Sequence, residues 1–373
     1  MRRMASTVVT VLVLAACTPS PAPNTTASPA TTTTVPATAT TATPTTTATS
    51  AAPAAATPAG GPLRFVTVEL VDADTGWGLT VDGRVVRTVD GGATWTDVTP
   101  ERLPDVAAAA FGDDRAWLIT GGGEVWVGSD GGADWDVTAV PLEAPFDVVD
   151  VAFSDPDRGW VLVAGPGGAG TIPVAVVATG DGGRTWQVVA VPSPDPEVAA
   201  LERGHSSGLG VGGDGRLWVT KDIGPRPEAW LAVSRDGGRS WTERVVDVDG
   251  GEFCGTYAPH LDGARFGALI VRCDDDGAWF AMTGDDGETW DVAALPGPAE
   301  GLVVFEDGAV AWGRDLYATV EPPGAWETLW TFDAVPSALS LPDAVHGLAV
   351  VDGELWRTDT GGERWVRLSP VLR

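Results

Sequence analysis

The chain is short of the residues on which most enzymes rely. Its 373 residues include 3 cysteines, 3 histidines, 2 tyrosines and a single lysine, Lys221. That scarcity excludes a disulfide-dense scaffold and a histidine-rich metal centre. Basic charge is scarce too, with 23 Lys and Arg against 51 Asp and Glu. Setting aside Arg2 and Arg3 leaves 21 basic groups after residue 16 and a formal charge of −30. This balance argues against nucleic acid and anionic lipid as partners of the folded region. No apolar run is long enough for a transmembrane helix. No sustained helical period follows residue 62.

What is abundant is glycine, aspartate and tryptophan, and they recur together. Thr88-Val89-Asp90-Gly91-Gly92-Ala93-Thr94-Trp95 is one copy. Others are Ser129-Asp130-Gly-Gly-Ala-Asp-Trp135, Thr179-Gly-Asp181-Gly-Gly-Arg-Thr-Trp186, Ser234-Arg-Asp236-Gly-Gly-Arg-Ser-Trp241 and Thr283-Gly-Asp285-Asp-Gly-Glu-Thr-Trp290. Thr358-Asp-Thr360-Gly-Gly-Glu-Arg-Trp365 is a decayed copy. Trp326 divides the remaining gap, so the tryptophan spacings become 40, 51, 55, 49, 36 and 39. Repeats of this length suit four-stranded propeller blades. A solenoid would need polar capping units, and the terminal repeats look like the others. Within each repeat, short β-rich runs alternate with Asp/Gly turns, a hairpin signal. The expected fold is all-β: one seven-bladed propeller of four-stranded antiparallel blades over residues 63–373. In each turn the Asp carboxylate is expected to accept backbone N–H bonds, the glycines to supply positive φ, and the Trp to cover the hairpin base. These are structural roles.

The motif resembles that of the Asp-box, or BNR-repeat, β-propellers. The resemblance covers residues 63–369 and places the hairpin between the third and fourth strands of each blade. That family includes sialidases, tandem-propeller xyloglucan hydrolases, sortilin-type receptors and photosystem II assembly and stability factors. Gly76-Trp77 and Gly159-Trp160, followed by the turn, look most like the last group. Such scaffolds host many activities, so the resemblance assigns no reaction.

The N-terminus points to export. Arg2-Arg3, the apolar run Val8–Leu14 and Leu14-Ala15-Ala16-Cys17 read as a signal peptide over residues 1–16. The last four residues resemble the bacterial lipobox, which implies lipidation of Cys17 and anchoring at the outer face of the cytoplasmic membrane. An ordinary cleaved signal is the alternative. Residues 17–62 are a disordered linker rich in Thr, Pro and Ala, without a charged side chain. As a flexible stalk it would reach roughly 40 Å. Cys254 and Cys273 remain, and an even pair in an exported chain favours a disulfide. A Cys254–His260 nucleophile is the sharper alternative, without a residue to orient the base.

Catalytic constellations are weak. A sialidase-like site needs an arginine cluster and a tyrosine with an acidic partner, and only Tyr257 and Tyr317 are available. With 51 acids, a carboxylate pair suited to glycoside hydrolysis arises by chance. Asp247-Val-Asp249-Gly250-Gly-Glu252 and Asp274-Asp275-Asp276 read as solvated turns rather than calcium loops. His205, His260 and His346 fall in the first-strand regions of three blades without ligand spacing. No metal and no cofactor are expected. Most of the 17 tryptophans belong to the repeat, with Trp77, Trp117, Trp160 and Trp312 assigned to second strands and Trp218 and Trp330 left over. A ligand face is expected opposite the Asp-Gly-Gly turns, with Glu202, Arg203, Lys221 and Arg226 as its candidate residues. The expected function is non-catalytic binding or scaffolding of an envelope protein or glycan by a monomer, with a glycoside hydrolase as the alternative.

Overall fold

In the computed structural model the strands group into seven antiparallel sheets, each made of consecutive segments. Blade 1 is Phe65–Leu70, Gly76–Thr80, Val85–Thr88 and Thr94–Asp97; blade 2 is Val106–Phe111, Ala116–Thr120, Glu124–Ser129 and Asp134–Ala139. Blade 3 is Asp147–Phe153, Gly159–Ala164, Val174–Thr179 and Gln187–Ala190; blade 4 is Ser206–Val211, Leu217–Lys221, Ala229–Ser234 and Thr242–Val246. Blade 5 is Cys254–Asp262, Phe266–Cys273, Ala278–Thr283 and Asp291–Ala294; blade 6 is Gly301–Phe305, Gly308–Trp312, Asp315–Thr319 and Glu327–Thr331. Blade 7 is Ala338–Ser340, Gly347–Val351, Glu354–Thr358 and Val366–Arg367. The seven-bladed propeller is therefore as expected. The structure describes residues 10–12, 62–143, 145–166, 172–191, 199–202, 204–222, 228–249, 251, 253–263, 265–274 and 277–373. Thr10–Leu12 pairs antiparallel with Val106–Phe111. The rest of the expected leader, Cys17 and the stalk lie outside the described residues.

The sheets stack because their middle strands are apolar on both faces. Ala116–Thr120 and Val174–Thr179 are buried almost throughout, whereas the fourth strand Asp134–Ala139 is mostly exposed. Seven buried clusters result, and each joins two adjacent blades. Leu348 and Val350 of blade 7 meet Phe65, Val68 and Trp95 of blade 1 in one of them. The C-terminus completes that seam: Val371–Leu372 pairs in parallel with Thr94 and Trp95 on the outer edge of blade 1. Polar groups on the first strands join neighbouring blades as well. The Leu70 N–H donates to Ser340 Oγ at 2.9 Å, and the Leu209 N–H donates to the Asp150 carboxylate at 2.8 Å.

The turns have the expected chemistry in four blades. Asp90 accepts from the Thr94 N–H at 2.8 Å and from the Thr94 hydroxyl at 2.5 Å, while Thr88 Oγ1 accepts from the Gly92 N–H at 3.0 Å. Asp181, Asp236 and Asp285 repeat the pattern with Thr185, Ser240 and Thr289. The second glycine must be glycine, since its φ lies between +80° and +96° in blades 1 to 5 and 7. Trp95, Trp186 and Trp241 then donate Nε1–H to that glycine's carbonyl.

Blade 2 departs from the expectation for Asp130. Gly128 stands where the other turns carry the first Ser or Thr, and Asp134 replaces the second hydroxyl. Without either hydroxyl the Asp130 carboxylate is not clamped. The turn closes instead as a 3-10 turn with Asp130 at φ +50°. In blade 7 Thr360 takes the aspartate's place and accepts from the Arg364 N–H at 3.0 Å. Blade 6 has Glu321 there, and Trp326 leads into its fourth strand, packed on Phe280.

The tryptophan assignment needs one correction. Trp218 occupies the second position of its strand, as Trp77, Trp117 and Trp160 do, whereas Trp312 ends its strand. Trp117 donates to the Gly182 carbonyl at 3.0 Å and Trp160 to the Gly237 carbonyl at 3.2 Å, each in the turn of the next blade. Trp218 donates at 3.2 Å to Asp286, which fills the corresponding position in blade 5. Asp286 is 2% exposed at φ +66°, and Arg216 and Arg235 also bond its carboxylate. His346 is also displaced from its expected place: it precedes the second strand of blade 7, with Nδ1 2.9 Å from Asp343.

Hydrogen bonds from Thr289 and Thr283 hold Asp285 at a pKa of about 2. In Asp90 and Asp236 burial opposes ionisation, but the turn bonds prevail and lower the pKa. A depressed carboxylate pKa adds stability that is complete above the unfolded value near 4 and is lost as pH falls through the folded value. Unfolding midpoints in urea should therefore drop between about pH 4 and pH 2, and Asp285→Asn should flatten that limb. An unchanged limb in the variant would refute the assignment. Asp286→Gly, which restores the repeat, should cost about 3 kcal/mol because Arg216 loses its buried carboxylate; a gain in chemical stability would contradict this.

Candidate functional site

Because every blade is antiparallel, its first-to-second and third-to-fourth turns share one face of the ring. The second-to-third turns and the links between blades form the other face. Of the residues expected there, Arg203 and Arg226 lie outside the described residues, as does the side chain of Glu202. Lys221 is described and does not serve as an exposed cation. It is 0% exposed, because strand alternation carries it, after Leu217 and Val219, onto the face packed toward blade 3. Its Nζ donates to the Leu201 carbonyl at 2.6 Å and to Ser206 Oγ at 3.1 Å, and lies 5.6 Å from the Trp230 ring centroid. Burial pushes its pKa down to about 7.

The neighbouring residues form the polar cluster of this face. Asp222 follows Lys221 and accepts a short hydrogen bond from the Tyr257 hydroxyl on the first strand of blade 5. The Arg272 guanidinium sits 4.5 Å from the Tyr257 ring centroid and donates to Glu300 at 2.5 Å. Thr256 ties the two blades beneath them: its hydroxyl donates to the Trp230 carbonyl at 2.8 Å and accepts from the Lys221 N–H at 2.9 Å. The disulfide Cys254–Cys273 joins two residues paired directly in the ladder, with Gly255 and Arg272 on the next rung. The bond thus fixes the end of the sheet from which Arg272 and Tyr257 extend.

Sequence reading had no means of joining Asp222 to Tyr257, which are 35 positions apart on different blades. The available signal was the short interval between Cys254 and Tyr257. Tyr317, the other tyrosine considered, is 2% exposed, and burial beside Asp315 pushes its pKa up to about 12. Burial likewise raises Asp150 to about 7, against the bonds from Leu209 and Val151. His260 has its pKa lowered by burial, which outweighs Asp262. Cys254 is bonded to Cys273, so it is no nucleophile partner for His260. The acidic strings at 247–252 and 274–276 are only partly described. Among the described residues, no group of three or more His, Cys, Asp or Glu is placed to hold a metal ion.

Replacing Cys254 and Cys273 together with Ser should lower the unfolding free energy by roughly 3 kcal/mol, the chain-entropy value for a loop of this size. Chemical denaturation of the double variant checks this. An unchanged midpoint would mean that the strand pairing alone holds the site.

No protein-family model matches the chain, and no curated protein does. Solved structures do match. "YCF48 bound to D1 peptide" is 15% identical with a TM-score of 0.54, covering 80% of this chain and 94% of that one. YCF48 from Cyanidioschyzon merolae is 16% identical with a TM-score of 0.52, covering 81% and 95%. The computationally designed Ika8 protein is 14% identical with a TM-score of 0.53, covering 83% and 87%. At these identities the likeness is one of fold, a β-propeller.

Proposed function

We propose that this chain is a surface-anchored Asp-box lipoprotein whose propeller binds an envelope protein or glycan without transforming it. One observation carries the reading. On the face opposite the turns, Asp222 is held by Tyr257 and Arg272 by Glu300, with the buried Lys221 held by Leu201 and Ser206 next to Asp222. Groups so held make a rigid recognition surface. The turn geometry supports membership of the Asp-box group. The peptide-bound YCF48 structure supports binding as a use of this fold. Leu14-Ala15-Ala16-Cys17 and the uncharged segment after it support the lipid anchor and stalk.

The alternative, a glycoside hydrolase, draws its support from the Tyr257–Asp222 pair, since a tyrosine beside a carboxylate is a nucleophile arrangement. Purified full-length protein incubated with labelled envelope polysaccharides and glycans, and cross-linked on intact cells, separates the two. Retained ligand or a specific cross-linked protein, without product, supports binding. Product formation abolished by Tyr257→Phe, in a protein that still folds, would overturn it. Cys17→Ser should move the protein from the membrane fraction to the medium, as removal of the acyl chains predicts; unchanged membrane association would sink the anchor.

A further inference from the structure

The flank of the ring between blades 1 and 2 holds an open groove of 560 Å³. One wall is Asp97–Glu101, the end of blade 1 and the link after it; the other carries Trp126 and Trp135. No Lys or Arg lines it.

The groove follows from the local sequence of blade 2. In the ladder Gly128 pairs with Trp135, and Trp126 lies two residues before Gly128, so all three share one face of the sheet. Gly128 replaces the Ser or Thr of the other turns. A Cβ there would fall 2.9 Å from the Trp135 indole, so glycine is what lets the ring lie against the strand. The indole then donates to the Val98 carbonyl of blade 1 at 2.9 Å and to the Gly132 carbonyl at 3.0 Å. Trp95, Trp186, Trp241 and Trp365 are no more than 8% exposed, whereas Trp135, like Trp290 and Trp326, is only half-buried. Trp126 is likewise half-buried and donates to Glu124 at 3.2 Å. Across the groove, one Asp97 oxygen accepts from the Thr99 N–H at 3.0 Å and the Thr99 hydroxyl at 2.6 Å and the other pairs with Arg84 at 3.8 Å, whereas among the described residues no ion pair reaches Glu101.

We propose that this groove is a binding site for a cationic side chain, a lysine or arginine presented by a partner protein. Indole rings attract cations through the ring quadrupole, and carboxylates on the facing wall add attraction of the same sign. The excess of 51 acidic over 23 basic residues draws a basic segment toward the ring at long range. A neutral sugar would gain from the rings and from hydroxyl bonds to the carboxylates, but not from their charge, so its binding would not weaken with salt. The site lies away from the Tyr257 cluster and stands or falls separately from it.

The test uses the full-length protein with Nα-acetyl-lysine methylamide and Nα-acetyl-arginine methylamide as probes, and cellobiose as the neutral control. Indole N–H resonances, assigned with Trp126→Phe and Trp135→Phe, report binding. The proposal expects saturable shifts of the Trp126 and Trp135 signals with the cations. It expects Glu101→Gln to weaken binding about fivefold, and added salt to do the same. Trp126→Ala should weaken it by a similar factor while leaving the other indole signals in place, which separates loss of the site from loss of the fold. Absence of a saturable shift, equal affinity for cellobiose, or no effect of Glu101→Gln would each overturn it.

Discussion

Three consecutive seams of the ring are built on one contact between blades: the second-strand tryptophan of one blade donates its indole N–H to the turn of the next. Trp117, Trp160 and Trp218 make it in succession. The indole fills the apolar space between two sheets, and in these three blades its one polar atom finds an acceptor there. The nearest acceptor is the residue after the turn aspartate. Its position is fixed because the aspartate clamps the turn through the residue four positions on. A local hairpin motif therefore becomes a long-range device. The clamp sets the turn, and the turn presents an acceptor to the neighbouring blade: a carbonyl to Trp117 and Trp160, a carboxylate to Trp218.

Where the pattern changes, the acceptor changes with it. Trp77 faces blade 2, whose turn lacks both hydroxyls, and donates instead to the Gly112 carbonyl at 2.8 Å. Trp218 faces a turn with Asp286 in the glycine's place. A buried carboxylate between sheets is costly alone, and Arg216 and Arg235 accompany it. Arg216 also donates to the carbonyls of Gly263 and Phe266, so its guanidinium is satisfied on several sides. The substitution thus turns a neutral contact into an ionic one without unpairing it.

Much of the fold was legible because its signals are local. Blade number, strand order and the roles of Asp90, Asp181, Asp236 and Asp285 follow from turn chemistry that acts within eight residues. Cys254 and Cys273 were legible as a pair for another reason, since an even pair in an exported chain favours a disulfide. What was hidden depends on which face a side chain takes or which residue lies across the gap. Lys221 read as a rare exposed cation, yet the period of two along its strand sends it inward. Trp218 read as an outlier because the bulky Leu217 stands where blades 1 and 3 have Gly and blade 2 has Ala before Trp. The bond of Asp222 to Tyr257 joins two blades, and no spacing rule spans that distance.

The same reasoning locates the features that carry something beyond architecture. A closed ring tolerates a decayed turn when another group restores the contact. Thr360 does so in blade 7 by accepting the Arg364 N–H, and Arg216 with Arg235 does so around Asp286. In blade 2 nothing restores the clamp on Asp130. Instead Trp135 bridges to the Val98 carbonyl, and its indole, with Trp126, packs against the core between blades 1 and 2 and lines an acidic groove at its edge. The corresponding indole is buried in blades 1, 3, 4 and 7 and half-buried in blades 2, 5 and 6. Two half-buried tryptophans beside the exposed Glu101 give this groove the groups that a cation-binding surface requires.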